Sequence, residues 1–365
     1  MVGQTEEPAI ARARLTIDLD AVAANWRALD ALSAPSVETA AVVKADAYGL
    51  GAAVVAPALA AAGARSFFVA LAEEGAALRQ ALGPGPAIFV FAGLMLGDAP
   101  LFREFDLVPC LSSGAQVAEA ARVLPGHPAA LQLNTGMNRL GLSAEELADV
   151  ADVLPRLAPV LVLSHLACAD EPGHPLNRRQ AEAFAGLALR LPGVRLSLAA
   201  TGGILLGPEY HHGLTRPGIG LYGGRPFAAA RPVVTLSLPV IQVREVDPGE
   251  TVGYGAAWEA RRPRRVAVVA GGYADGLLRA LGSGGVGLYA GDVRCPLVGR
   301  VSMDLVTADV TDLPEVPSHL EILNARQTVD DLGAAAGTIG YEILTSLGAR
   351  HERVYKGAAK PPEPA

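Results

Sequence analysis

A chain of 365 residues, 51% hydrophobic and 18% charged, is long enough for two domains and apolar enough to bury large cores, which excludes a disordered chain. Its net charge of −7, with no basic stretch to neutralise phosphates, excludes nucleic acid as a partner. Three widely separated cysteines (Cys110, Cys168, Cys295) without a CxxC pair predict a reduced, cytoplasmic protein with no structural metal.

Residues 1–8 carry two glutamates and no apolar core, so no secretory signal is expected there. From Leu15 to about Pro232, short apolar runs alternate with Ala/Leu-rich segments of helical length. The runs cover residues 40–43, 67–71, 88–91, 107–111, 130–133, 160–164, 194–198 and 214–219. Continuous apolar runs of this kind suit strands buried on both faces of a parallel sheet. The Ala-rich stretch 51–63 is too short to cross a bilayer and reads as a buried helix, so no membrane partner is expected. Further helices are predicted over 113–123 and 143–157, the second opened by the capping-box pair Ser143 and Glu146. Eight strand–helix units make this α/β segment a candidate (β/α)8 TIM-type barrel, spanning residues 1–232. After Pro232 the runs 233–243, 265–269, 286–289, 294–298 and 305–310 are separated by Gly- and Pro-containing turns. That texture predicts a mostly β C-terminal domain, residues 233–365, closed by short helices and a fraying tail over 356–365.

Lys44 stands where the first apolar run ends, which in a barrel is the rim that carries chemistry. A lysine held against apolar strands loses hydration, which lowers its pKa and makes its amine a better nucleophile toward a carbonyl. A bare strand-end lysine leaving for solvent is the plainer reading of this residue alone. Thr201-Gly202-Gly203 follows the run 194–198, and glycines there let backbone N–H groups converge on a phosphate while Thr201 adds a hydroxyl. By itself that signal is weak, since many strand-to-helix turns look similar. Fifteen residues on from Thr201, Arg216-Pro217-Gly218-Ile219 precedes Gly220-Leu221-Tyr222-Gly223. Tyrosines flanked by glycine occur again at Gly253-Tyr254-Gly255 and at Gly272-Tyr273-Ala274-Asp275-Gly276.

Together these strings give the chain its resemblance. Ala-Val-Val-Lys44-Ala-Asp-Ala-Tyr48-Gly is similar to the cofactor-lysine segment of the pyridoxal-phosphate (PLP) alanine racemases, and the Arg216-Pro-Gly-Ile…Leu-Tyr-Gly string matches the same family. Asn134-Thr-Gly-Met-Asn-Arg139-Leu-Gly, Gly299-Arg-Val-Ser-Met303-Asp and Arg353-Val-Tyr355 continue the match in family order from Leu15 to Tyr355. The resemblance implies that Lys44 carries PLP and acts as one base, with Tyr254 as the opposing base in the interconversion of L- and D-alanine. It implies a phosphate cup of Tyr48, Thr201, Gly218, Ile219 and Tyr355, and Arg216 as hydrogen-bond donor to the pyridine nitrogen. It also implies His165 as the link between tyrosine and arginine, and Arg139, Tyr273 and Met303 as substrate contacts. A homodimer with shared active sites follows from it too, serving either D-alanine supply for peptidoglycan or L-alanine catabolism.

Three positions depart from the family pattern. Gln132 stands where many members have a carbamylated lysine, Ser197 where they have a histidine, and Ala200 where they have an asparagine. The expectation is that the Gln132 amide oxygen, with or without a bound anion, orients Arg139. A decarboxylase on the same fold would call for a carboxylate in place of Arg216. A non-catalytic PLP-binding protein would lack the second domain that carries Tyr254 and Met303. A racemase acting on serine or several small amino acids stays open.

Overall fold

The computed structural model describes residues 12–357, so residues 1–8 and most of the expected tail lie outside the described residues. Two compact units divide the chain. One is Leu19–Arg231; the other is Pro232–Gly357 together with residues 12–18.

In the first unit, the predicted apolar runs form one parallel series: Ala41–Val42, Ser66–Val69, Ala87–Val90, Leu107–Leu111, Pro128–Gln132, Ala158–Leu163 and Arg195–Ser197. The eighth strand, Leu214–Thr215, closes the ring. It pairs in parallel with Glu38–Thr39, and Ala40 N and Val42 N donate to Thr215 O and Pro217 O, both at 2.9 Å. On its other side Arg216 N donates to Ala199 O at 2.8 Å. With no free edge, most strand residues are buried, which is why the runs carry few polar residues. Phe67, Phe68, Phe89, Leu107, Leu111 and Leu131 are among the buried side chains, and Phe68 stacks on Phe89 with centroids 4.6 Å apart. Each such side chain contributes roughly 1.5–3 kcal/mol of transfer free energy.

The Ala-rich stretch forms the helix Ala52–Ala62, burying Val55, Ala56, Ala58 and Leu59. Ser113 caps Gly114–Val123 by accepting from Gln116 N at 3.2 Å. Ser143 and Glu146 form the predicted capping box, but that helix is Ala144–Asp149 only. Pro155 sits in a separate 3-10 turn, Leu154–Arg156. The predicted helix over 143–157 ends earlier because residues 150–153 are turn, where the backbone bonds tighten to the third residue back: Ala151 N donates to Ala148 O at 3.2 Å and Val153 N to Val150 O at 2.9 Å.

The second unit is built on the 13-residue strand Val234–Val246. It pairs antiparallel with Arg14–Asp18, with His319–Leu323 along its first half and with Arg264–Ala270 along its second, with register shifts between Leu236 and Ser237 and between Val240 and Gln242. Arg14–Asp18 also lies parallel to Glu352–Lys356. The amino-terminal strand, expected within the barrel's share of the chain, therefore joins the β unit, because its hydrogen-bond partners are there. Two short helices, Val329–Ala336 and Gly340–Ser346, complete the unit. Among the described residues no helix is long and apolar enough to cross a membrane, and no group of three or more metal-ligating side chains occurs. All three cysteines are free.

Candidate active site

The barrel's carboxyl-end rim gathers eight of the candidate residues. Lys44 follows Ala41–Val42, and its Nζ lies 5.8 Å from the centroid of the Phe91 ring. Burial lowers its pKa from the usual lysine value, Arg139 lowers it further, and Glu74 acts in the opposite direction. Loss of hydration disfavours the ammonium, so more of the amine is free to react at neutral pH. Directly after it, Ala45, Asp46, Ala47 and Tyr48 all take left-handed conformations, with φ between 53 and 57°. Four consecutive non-glycine residues of this hand are costly, at about 1–2 kcal/mol each. The turn brings Tyr48 back into the barrel, where its ring lies 4.6 Å from that of Tyr222 and its hydroxyl lies against Gly218. A Cβ at residue 218 would collide with that hydroxyl, so glycine is required for the approach.

Thr201 opens the helix Thr201–Leu206, and its Oγ1 accepts from Gly218 N at 3.1 Å and Gly220 N at 3.3 Å. Gly202 has no room for a side chain either, since a Cβ would lie 2.8 Å from that of Ala169. Tyr48, Thr201, Gly218 and the buried Ile219 thus meet in one cup of hydroxyls and close backbone. Arg216 is buried, and its guanidinium donates to Ser197 Oγ, to Ser164 O at 2.6 Å and to Leu198 O at 3.3 Å. No carboxylate is among these partners, and burial pushes its pKa down to about 10. Ser197, a departure from the family pattern, supplies one of its acceptors. His165 is pushed down to about 3 by burial, then by Arg216, Arg139 and Lys44, so its imidazole is neutral at working pH.

Gln132 and Arg139 line one crevice with Thr135, Met137, Ser164 and His165. Among the described residues, however, no hydrogen bond joins Gln132 to Arg139, contrary to expectation. Replacing Gln132 with alanine should therefore change kcat/KM by less than about threefold, under roughly 0.7 kcal/mol. Steady-state kinetics check this, and a tenfold loss would restore Gln132 as the orienter of Arg139.

Gln180 was not singled out in the sequence. It is fully buried in the helix Pro175–Ala188, where its amide donates to His165 O at 2.9 Å and accepts from Ala167 N at 2.8 Å. It also donates to Thr135 Oγ1 at 3.3 Å. The signal was present: Asn177, Gln180, Phe184 and Ala188 share one helical face, and that is the buried one.

In the β unit, Tyr254 stands 71% exposed between Gly253 and Gly255, whose φ values are +78 and +70°. Tyr273 and Met303 lie on two loops joined by backbone bonds: Tyr273 N donates to Ser302 O and Ala274 N to Met303 O, both at 3.0 Å. Arg350 ties the same loops together, donating to Asp275 at 2.6 and 2.9 Å and to Asp304 at 2.8 Å. Tyr355 lies on Glu352–Lys356, opposite Ile17.

A family model described as the alanine racemase N-terminal domain matches residues 17–226, and the C-terminal domain model matches residues 233–355. The chain belongs to the alanine racemase family. The alanine racemase of Cereibacter sphaeroides is 61% identical over 350 residues, covering 96% of this chain and all of that protein. That of Rhizobium meliloti is 48% identical, over 98% and 100% of the two chains. Among solved structures, an alanine racemase from Bartonella henselae with covalently bound pyridoxal phosphate matches with a TM-score of 0.89 and 36% identity, over 95% of this chain and all of that one. The fold expected from the sequence, a barrel with a mostly β C-terminal domain, is that of these neighbours. The chain is accordingly a PLP-dependent isomerase that racemises alanine. Its barrel rim fits the cofactor, offering an amine of lowered pKa at Lys44, a cup that admits no Cβ at residue 218, and the buried donor Arg216.

Proposed function

We propose that the racemisation uses two opposed acid–base groups, Lys44 on one face of the α-carbon and Tyr254 of a second copy on the other. The observation that carries this reading is Lys44 itself, the only lysine between residues 19 and 231, with an amine biased toward its neutral form. Pyridoxal phosphate held there would supply an electron sink that makes the substrate's α-proton more acidic. Lys44 Nζ holds the cofactor at rest and moves a proton on its own face during turnover. Tyr48 Oη, Thr201 Oγ1, the backbone N–H groups of Gly218 and Ile219, and Tyr355 would hold the cofactor's phosphate. Arg216 donates to the pyridine nitrogen; a guanidinium does not give up its proton at working pH, so it orients the ring without protonating it.

Neutral His165 links the tyrosine base to Arg216 by hydrogen bonding. Arg139 and, from the second copy, the Met303 backbone take the substrate carboxylate, and Tyr273 stands beside the substrate. Tyr254 is supported by its exposure on a glycine-flanked turn, where it is free to serve a neighbouring copy. The working unit is thus a homodimer with shared sites, in the cytoplasm, supplying D-alanine for peptidoglycan or opening L-alanine catabolism. Mixing inactive Lys44→Ala with inactive Tyr254→Phe under subunit-exchange conditions should restore up to one intact site per mixed dimer. No recovery, with exchange demonstrated independently, would count against sharing.

A further inference from the structure

Glu74 lies at the third position of the helix Ala72–Leu82, where a glutamate ordinarily caps its own helix by accepting from the backbone just before it. One oxygen does this: Oε2 accepts from Ala70 N at 2.7 Å and Leu71 N at 3.3 Å. The other oxygen reaches a different strand end. Oε1 accepts from Ala45 N at 2.7 Å, the first amide of the left-handed turn after Lys44. The turn's own backbone bonds include Ala47 N to Val43 O, Leu50 N to Ala47 O and Gly51 N to Asp46 O. Asp46 uses Oδ1 to cap the next helix through Ala52 N.

We propose that Glu74 is a positioning residue for the reaction, stapling the turn that sets Lys44 while lending the amine a negative neighbour. The turn is disfavoured by its own residues, and a strained backbone persists only where its surroundings over-determine it. One carboxylate with three backbone partners fixes two adjacent strand ends against each other, and Lys44 projects from one of them. The charged groups that shift Lys44 are Arg139 and Glu74; His165 and Arg216 share its surroundings, as do Tyr48 and Asp46 of its own turn, and Asp46 has one oxygen engaged by Ala52 N. Glu74 is the anion that raises the amine against Arg139. This inference rests on the reading of Lys44 as the cofactor-bearing base.

The test uses Glu74→Gln and Glu74→Asp. Glutamine keeps the length and one acceptor oxygen, so it can cap the helix or hold Ala45 N, but not both, and it carries no charge. Aspartate keeps the charge but is one methylene too short to bridge. Release of PLP from either holoenzyme should be about tenfold faster, the scale of one hydrogen bond to a charged acceptor. In the apoenzymes, the pH midpoint for labelling Lys44 with an amine reagent should move to lower pH in Glu74→Gln and hold near the parent value in Glu74→Asp. A lower Tm with unchanged PLP release and an unchanged labelling midpoint would overturn the proposal, leaving Glu74 as a helix cap. If the parent holoenzyme, reduced with borohydride, carries no cofactor on Lys44, the underlying reading fails instead.

Discussion

Lys44→Ala should lose at least about 10⁴-fold in kcat/KM, close to 5.5 kcal/mol of transition-state stabilisation, and should no longer hold the cofactor covalently. The two losses have one origin, because the side chain that anchors the cofactor also moves the proton. No other lysine lies within the barrel unit to replace it; Lys356 and Lys360 are the remaining ones in the chain. Borohydride reduction of the parent enzyme followed by peptide mapping should place the pyridoxyl group on Lys44. A label on Lys356 or Lys360, or more than a tenth of parental activity in the alanine variant, would remove Lys44 from the mechanism.

Arg216→Met should separate activity from stability. The guanidinium is buried without a carboxylate partner, and its depression to about 10 corresponds to roughly 3 kcal/mol by which folding disfavours the charged form. For a base with a lowered folded pKa, that destabilisation is present at neutral pH and lifts only as pH rises through the shifted value toward the unfolded one. Methionine would relieve it while depriving Ser197 Oγ, Ser164 O and Leu198 O of a donor, a loss of about 1 kcal/mol each. The two changes nearly cancel. Unfolding free energy at pH 7 should therefore move by less than about 2 kcal/mol, whereas kcat/KM should fall at least about 100-fold with the donor to the pyridine nitrogen gone. Denaturant titration and kinetics on the same preparation check this. Parallel collapse of both would make Arg216 a structural residue first.

The barrel was legible because closure buries each strand on both faces, so apolar runs stand out without alternation. The cup was legible because Tyr48, Thr201 and Gly218 lie in short strings whose residue types state their chemistry. Other features left no local trace. The partners of Arg14–Asp18 are more than 200 residues away, so nothing near it signals which unit it joins. Gln180 did leave a trace, the helical period it shares with Asn177, Phe184 and Ala188, but its neighbours Arg178, Arg179 and Glu182 look like a solvated face. The bond from Ala45 N to Glu74 Oε1 could not be read at all, since a helix-capping glutamate looks the same whether one oxygen is used or both. Ala45-Asp46-Ala47-Tyr48 gives no hint of its hand, because alanine and aspartate ordinarily continue a right-handed helix.

That reversed hand bears on how far the lysine segment can be moved. Its backbone follows the path natural to D-residues, so the string carries no local instruction for its own shape, and a free peptide of the same sequence would settle elsewhere. The shape is imposed by the docked strands, by the Glu74 staple and by the packing of Tyr48 against Tyr222. Grafting the nine residues from Ala41 to Gly49 onto another scaffold would transplant the amine but not its aim. The portable unit is the first two strand–helix modules with the Tyr222 turn.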